Sequence, residues 1–143
     1  MVAAGGVFRT RLAQMVCVLC FSFDIPPTVE VGNDVEFLHN GLGTVIHPTT
    51  VIRDGAMICQ NVTVGDSKAI RGASDYDFGG VVVGRGATVC AGAKVLGGEE
   101  PLLIGDGSVV AANAVLLKST LRNEIWAGVP AKRVGTRDHS DIS

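Results

Sequence analysis

Histidine is the side chain whose ordinary charge change lies closest to neutral pH, and this sequence has three: His39, His47 and His139. Such a group suits general-base chemistry. A hydroxyl is a poor nucleophile at neutral pH unless a base removes its proton as it attacks. His39 lies in Leu38-His-Asn-Gly-Leu-Gly-Thr-Val-Ile-His-Pro48, at a point where the surrounding pattern slips out of step, and a slip lets a side chain project. His47 precedes Pro48 and reads as an outward corner residue, with the role of base as its alternative to His39. His139 lies in a polar tail. A catalytic zinc centre needs three protein ligands with one open position. His39 and His47 are eight residues apart on what should be different sides of the chain path, and the third histidine is remote, so no metal is expected.

The four cysteines are Cys17, Cys20, Cys59 and Cys90. The Cys17-x-x-Cys20 spacing suits metal or redox chemistry, but it falls in the apolar run Met15-Val-Cys-Val-Leu-Cys-Phe with no second ligand pair. Buried, inert thiols are the expectation. Cys59 and Cys90 each follow an apolar beat residue and read as substitutes for a corner glycine.

The elements that would hold these groups are announced by a period of six. Ile25, Val31 and Phe37 begin it; Ile46, Ile52, Ile58 and Val64 continue after a slip. Val83, Val89 and Val95 follow a long interruption, then Ile104, Val110 and Leu116. Four residues past many of these stands a small or β-branched residue: Val29, Val35, Thr50, Ala56, Val62, Ala87, Ala93, Ser108 and Ala114. Helices repeat every three to four residues and simple strands every two, so six suits neither. It suits short strands joined by tight turns as the sides of a prism, a parallel β-helix whose coils stack their apolar rows. Nineteen glycines and only 5% aromatic residues fit many corners around a narrow aliphatic core.

The length of 143 residues allows one domain. Residues 1–23 read as an N-terminal cap segment, with a short helix over about 7–19 covering the open end of the stack. Arg9 and Arg11 before a short apolar segment superficially resemble a secretory signal, but no clear small-x-small cleavage site follows. Residues 24–135 read as the coil domain, opened by Asp24-Ile-Pro-Pro. Residues 65–82 lose the beat and read as a protruding loop, and 97–101 as a small bulge. Residues 119–135 close the stack, and 136–143 form a polar tail. A net charge of −2 gives no case for a nucleic-acid partner. No run reaches the ~20 apolar residues of a membrane span. Val45, Val51, Val82, Val109 and Val115 adjoin beat residues and cannot all point inward. An exposed apolar wall of this kind marks self-association, and threefold packing suits a three-sided prism.

Four segments, in order, resemble the hexapeptide-repeat acyltransferases, and within them the serine acetyltransferase-like group. They are Leu38–Pro48, Cys59-Gln-Asn-Val-Thr-Val-Gly65, Cys90-Ala-Gly-Ala-Lys-Val-Leu-Gly97 and Trp126-Ala-Gly-Val-Pro-Ala-Lys-Arg-Val-Gly135. The resemblance implies an all-β fold, a left-handed parallel β-helix, although crossover connections are normally right-handed. It also implies a cytoplasmic homotrimer that binds acetyl-CoA between neighbouring prisms and acetylates the hydroxyl of a small acceptor, a sugar or a serine-like amino acid. His39 resembles the catalytic histidine, although its spacing to Gly43 is one residue longer than usual. The related enzymes carry a second histidine in the loop; this chain has Asp75-Tyr-Asp-Phe-Gly-Gly there. Asn40, Asp75, Tyr76 and Asp77 are the acceptor-binding candidates, against the plainer reading of a solvated loop anchored by Phe78. The implied coenzyme A channel is Ala91, Gly92 and Ala93 with Ala111, Ala112 and Asn113, where small side chains leave room for a pantetheine arm; ordinary corner packing is the alternative. Lys118, Lys132 and Arg133, with Arg122, are the candidate phosphate contacts, and otherwise a solvated face. Trp126 packs the last coil or flanks the nucleotide. An amino-sugar N-acetyltransferase and a catalytically inactive trimeric scaffold remain open beside the O-acetyltransferase.

Overall fold

The structure, a computed structural model, describes residues 11–68 and 77–138. Three parallel sheets form the faces of a prism. Each coil crosses them in the same order through pairs or short runs of residues. The first coil is β1 (Glu30–Val31), β2 (Glu36–Phe37) and β3 (Val45–Ile46), and the second is β4 (Val51–Ile52), β5 (Met57–Ile58) and β6 (Thr63–Asp66). The third is β7 (Val81–Val83), β8 (Thr88–Val89) and β9 (Lys94–Gly97); the fourth is β10 (Leu102–Ile104), β11 (Val109–Val110) and β12 (Val115–Leu116). One sheet stacks β1, β4, β7 and β10, the second β2, β5, β8, β11 and beyond, and the third β3, β6, β9 and β12.

The registers put the beat residues in columns. Phe37 pairs with Ile58, Ile58 with Val89, and Val89 with Val110. Ile46, Val64, Val95 and Leu116 form the corresponding column of the third sheet. Most of these side chains are fully buried. Each contributes about 1.5–3 kcal/mol of apolar transfer. The residues four places on are buried too, from Val29 and Thr50 to Ala114, and they line the inner side of the corners. The alternation also shows on the outside: Val51, Val82, Val109 and Val115 are half-buried, and Val45 is 43% exposed.

The stack closes with an antiparallel hairpin, β13 (Glu124–Gly128) and β14 (Ala131–Thr136), laid on β11. Hydrogen bonding continues to Arg137, whose N–H donates to the Asn123 carbonyl. Part of the expected loop is strand: β6 reaches Asp66 and β7 starts at Val81.

The N-terminal helix, α1 (Arg11–Phe21), reaches two residues beyond the expected end, and residues 7–10 lie outside the described residues. It caps the stack only lightly. No residue of α1 is fully buried, and Cys17 alone of α1 is packed, partly, against the core. Gln14 Nε2 donates to Asp24 Oδ1 at 2.6 Å. The expectation of buried thiols is therefore corrected: Cys20 is exposed and Cys17 only half-buried. The physical reason is that α1 is apolar around its circumference, while the end of a narrow prism offers room for only one strip of it. Among the described residues no helix is long and apolar enough to cross a membrane.

Candidate active site at one edge of the prism

His39 is placed by local backbone chemistry. The chain leaves β2, makes a 3-10 turn over Leu38–Gly41, and holds His39 and Asn40 in the left-handed region, at φ 52° and 57°. Few non-glycine residues adopt that conformation, and asparagine and histidine are among those enriched in it. Both side chains are exposed. Beneath them Gly41 is buried against the Phe23 ring, and Leu42 N–H donates to the His39 carbonyl at 3.2 Å. The slip in the period thus becomes a rigid outward turn.

The same edge, between the second and third sheets, carries the other corners one above another. Asn61 N–H donates to Leu42 O at 2.8 Å, Gly92 N–H to Gln60 O at 3.0 Å, and Asn113 N–H to Ala91 O at 2.9 Å. These bonds form a ladder from the His39 turn to Ala91, Gly92, Ala111, Ala112 and Asn113. With parallel strands spaced by ~4.8 Å, the ladder spans ~14 Å over three rungs. Ala91, Gly92 and Ala111 are half-exposed, and Ala112 and Asn113 are exposed, so this part of the edge presents small side chains and backbone. Ala93 is a correction to the expected channel. It has no exposed surface and belongs to the core column with Val62 and Ala114. At a tight corner, one residue decides which side of the wall a Cβ occupies.

The basic candidates separate. Lys132 pairs with Ala127, next to the ladder's upper end, because Trp126 O accepts from Ala111 N–H. Arg133 is engaged by Glu124, Nε to Oε1 at 3.0 Å. Lys118 lies at a different edge, beyond β12, where it lines a cleft with Lys68, Glu99 and Ser119. Arg122 is exposed near the top. Trp126 is half-buried, and its indole N–H donates to Glu124 Oε2 at 2.9 Å. That bond and the Leu121 N–H, with a smaller contribution from Arg133, hold the Glu124 carboxyl below its ordinary pKa against the opposing effect of burial. Glu124 is a structural keystone that sequence reading missed. Lys94 was missed as well. It points outward on β9, and its Nζ donates to Asn61 O at 3.0 Å, which puts a cation on the His39 edge. Its place directly before the beat residue Val95 is the available signal.

His47 is indeed at a corner, but it is packed. Its ring meets Phe78 edge-on, centroids 4.4 Å apart, and its Nδ1 lies 3.0 Å from Thr49 Oγ1. Burial lowers its pKa, and the Asp66 charge partly offsets this. Phe78 therefore does anchor the base of the loop. Asp77 is exposed there. Asp75, Tyr76 and His139 lie outside the described residues. Among the described residues no cluster of three potential metal ligands occurs.

No family model matches the chain. It is 35% identical over 131 residues to the serine acetyltransferase of Mycobacterium tuberculosis, which covers 92% of this chain and 53% of that one. It is 34% identical over 118 residues to the serine acetyltransferase of Escherichia coli K12, covering 82% and 40%. The crystal structure of serine acetyltransferase in complex with coenzyme A from Brucella abortus superposes with a TM-score of 0.75 at 31% identity, covering 88% of this chain and 47% of that one. The chain is a hexapeptide-repeat relative of the serine acetyltransferases. Its prism is the left-handed β-helix of that group. The chain spans about half or less of the length of the curated relatives it matches.

Proposed function

We propose that this serine acetyltransferase relative transfers an acetyl group from acetyl-CoA to the hydroxyl of a small acceptor of the serine kind, with His39 as general base. The observation that carries the reading is the placement of an exposed imidazole at the foot of a ladder of small, partly open corners. The ladder is long and narrow enough to hold an extended thioester arm beside exposed backbone. Ala91, Gly92, Ala111, Ala112 and Asn113 would border that arm, with Lys132 near its far end. Arg133 contributes less to phosphate binding, because Glu124 already holds it.

In this reading the acceptor oxygen attacks the thioester carbonyl while His39 takes its proton. The carbon–sulfur bond then breaks, and the proton passes from His39 to the leaving thiolate. Direct attack needs no acyl-enzyme. Asn40, beside the base, and Asp77, at the loop root, are the described candidates for holding the acceptor; Asp75 and Tyr76 complete the set. A cytoplasmic homotrimer is part of the same proposal. It is supported by apolar side chains left on the outer faces, such as Val45 and Leu103, each more than two-fifths exposed.

The test is release of free thiol from acetyl-CoA with serine, other amino acids, sugars and amino sugars as acceptors. Serine-type hydroxyls should support turnover, and His39→Ala should lower it by about 10²–10⁴-fold, the span of general-base contributions. Unchanged turnover in that variant removes His39 from the mechanism. Turnover with amines alone moves the reading to N-acetylation, and none with any acceptor leaves the scaffold.

A further inference from the structure

Two of the free thiols meet on the ladder. Ile58 pairs with Val89, and Cys59 N–H donates to Val89 O at 2.9 Å, so Cys59 and Cys90 follow as neighbours on successive rungs. Parallel strands put such neighbours ~4.8 Å apart at Cα, inside the roughly 4.4–6.8 Å that disulfides span. Both thiols are half-buried and unoxidised. At Cys59 the backbone N–H of Ala91 works against the effect of burial and favours the thiolate. The column continues downward to Leu38, next to His39, through the Phe37–Ile58 pair. It continues upward to Ala111, since Cys90 N–H donates to Val110 O at 2.8 Å. The pair therefore occupies the two rungs between the His39 turn and Ala111, with Cys90 leading directly into the Ala91–Gly92 corner. If acetyl-CoA occupies this edge as proposed above, its sulfur must come to rest within a rung or so of Cys59.

We propose that Cys59 and Cys90 form a thiol pair in the donor groove that takes up coenzyme A covalently by disulfide exchange. The ligand class is the pantetheine-type thiol presented as its disulfide. The Cys59 thiolate attacks one sulfur of coenzyme A disulfide. A Cys59–coenzyme A bond forms, the original sulfur–sulfur bond breaks, and one coenzyme A leaves as thiolate. The Cys90 thiolate then attacks Cys59 Sγ, expelling the second coenzyme A thiolate and closing a disulfide between the rungs. Each cysteine proton goes to solvent, the two coenzyme A thiols are the reduced products, and no further oxidant is consumed. Burial raises both thiols above their ordinary pKa. The pair is accordingly sluggish toward disulfides in free solution, because only the thiolate attacks. Docking of the coenzyme A moiety supplies the local concentration that makes exchange selective. The oxidised pair would tie two rungs together where the donor lies, and so switch the site off.

The experiment uses the full chain carrying Cys17→Ser and Cys20→Ser, treated with coenzyme A disulfide and read by peptide mass mapping. The expected result is loss of the free thiols at Cys59 and Cys90, at least about tenfold faster than with glutathione disulfide at equal concentration, and slowed by excess acetyl-CoA. Adding Cys90→Ser should trap one coenzyme A on Cys59. Mapping of the parent protein locates the modification even if that variant fails to fold. The inference is overturned if neither cysteine reacts, or if both disulfides react alike and acetyl-CoA gives no protection. A parallel thiol-release assay separates the two readings. His39-dependent turnover with unreactive cysteines refutes the thiol pair alone, whereas absence of both refutes the donor groove as well.

Discussion

Replacing Gly41 by alanine tests whether the turn that presents His39 is held by packing. Gly41 has φ +69°, and a Cβ built there lies 2.7, 2.8 and 2.9 Å from three atoms of the Phe23 ring. That ring cannot easily yield: Phe23 is 3% exposed and stands 5.0 Å from the Phe37 ring. Two costs therefore add. Left-handed backbone costs an alanine roughly 1–2 kcal/mol, and overpacking a filled core costs about 1–3 kcal/mol. Gly86 is the internal control. Its φ is +59°, yet a Cβ there meets nothing within 4 Å. Gly86→Ala carries the backbone cost alone, and the gain from a stiffer unfolded chain, about 0.4–1 kcal/mol, is common to both substitutions and cancels. Gly41→Ala should thus be less stable than Gly86→Ala by about 1–3 kcal/mol, measured as the difference between their urea unfolding curves at equal slope. Turnover should fall with Gly41→Ala, because Leu42 and Thr44 N–H groups fix the loop through the His39 and Gly41 carbonyls. Equal unfolding midpoints for the two variants would refute the claim that Phe23 braces the His39 turn.

Ile58→Ala removes a fully buried side chain stacked between Phe37 and Val89 and should cost about 2–5 kcal/mol by chemical denaturation; a loss below about 1 kcal/mol would mean that the column is not the core. The Glu124 carboxyl is held below its ordinary 4.5, so its contribution to stability is complete above that pH and is lost as pH falls through the folded value. Glu124→Gln should flatten this acid limb of the stability profile, and an unaltered limb would remove Glu124 from it. His47 has the folded pKa of a base pushed below 6.5, so the folded state binds the proton less well than the unfolded chain. Stability from this residue is greatest above pH 6.5 and declines as the pH falls from there through the folded value. Phe78→Ala should return the His47 titration, followed by NMR, toward 6.5, and no movement would show that the ring contact is not the source.

Much of this chain was legible because a period of six is a purely local rule. Each beat residue must be buried wherever its neighbours are stacked, so the columns from Ile25 to Leu116, the corners and the outward His39 could be read from spacing alone. Where the rule was interrupted, spacing said less. The 31-residue gap between Cys59 and Cys90 includes the loop, and only the strand register makes them neighbours. Glu124 and Arg133 are nine residues apart in sequence and meet because β13 and β14 fold back on each other. Ala93 and Gly92 look alike in sequence, yet the corner turns one into the core and leaves the other half-exposed. The apolar run of α1 promised burial, and the narrow end of the prism could not supply it. Local period settled which residues face inward. Distance through space, set by how the rungs register and where the chain doubles back, decided which polar groups, cations and thiols share an edge with His39.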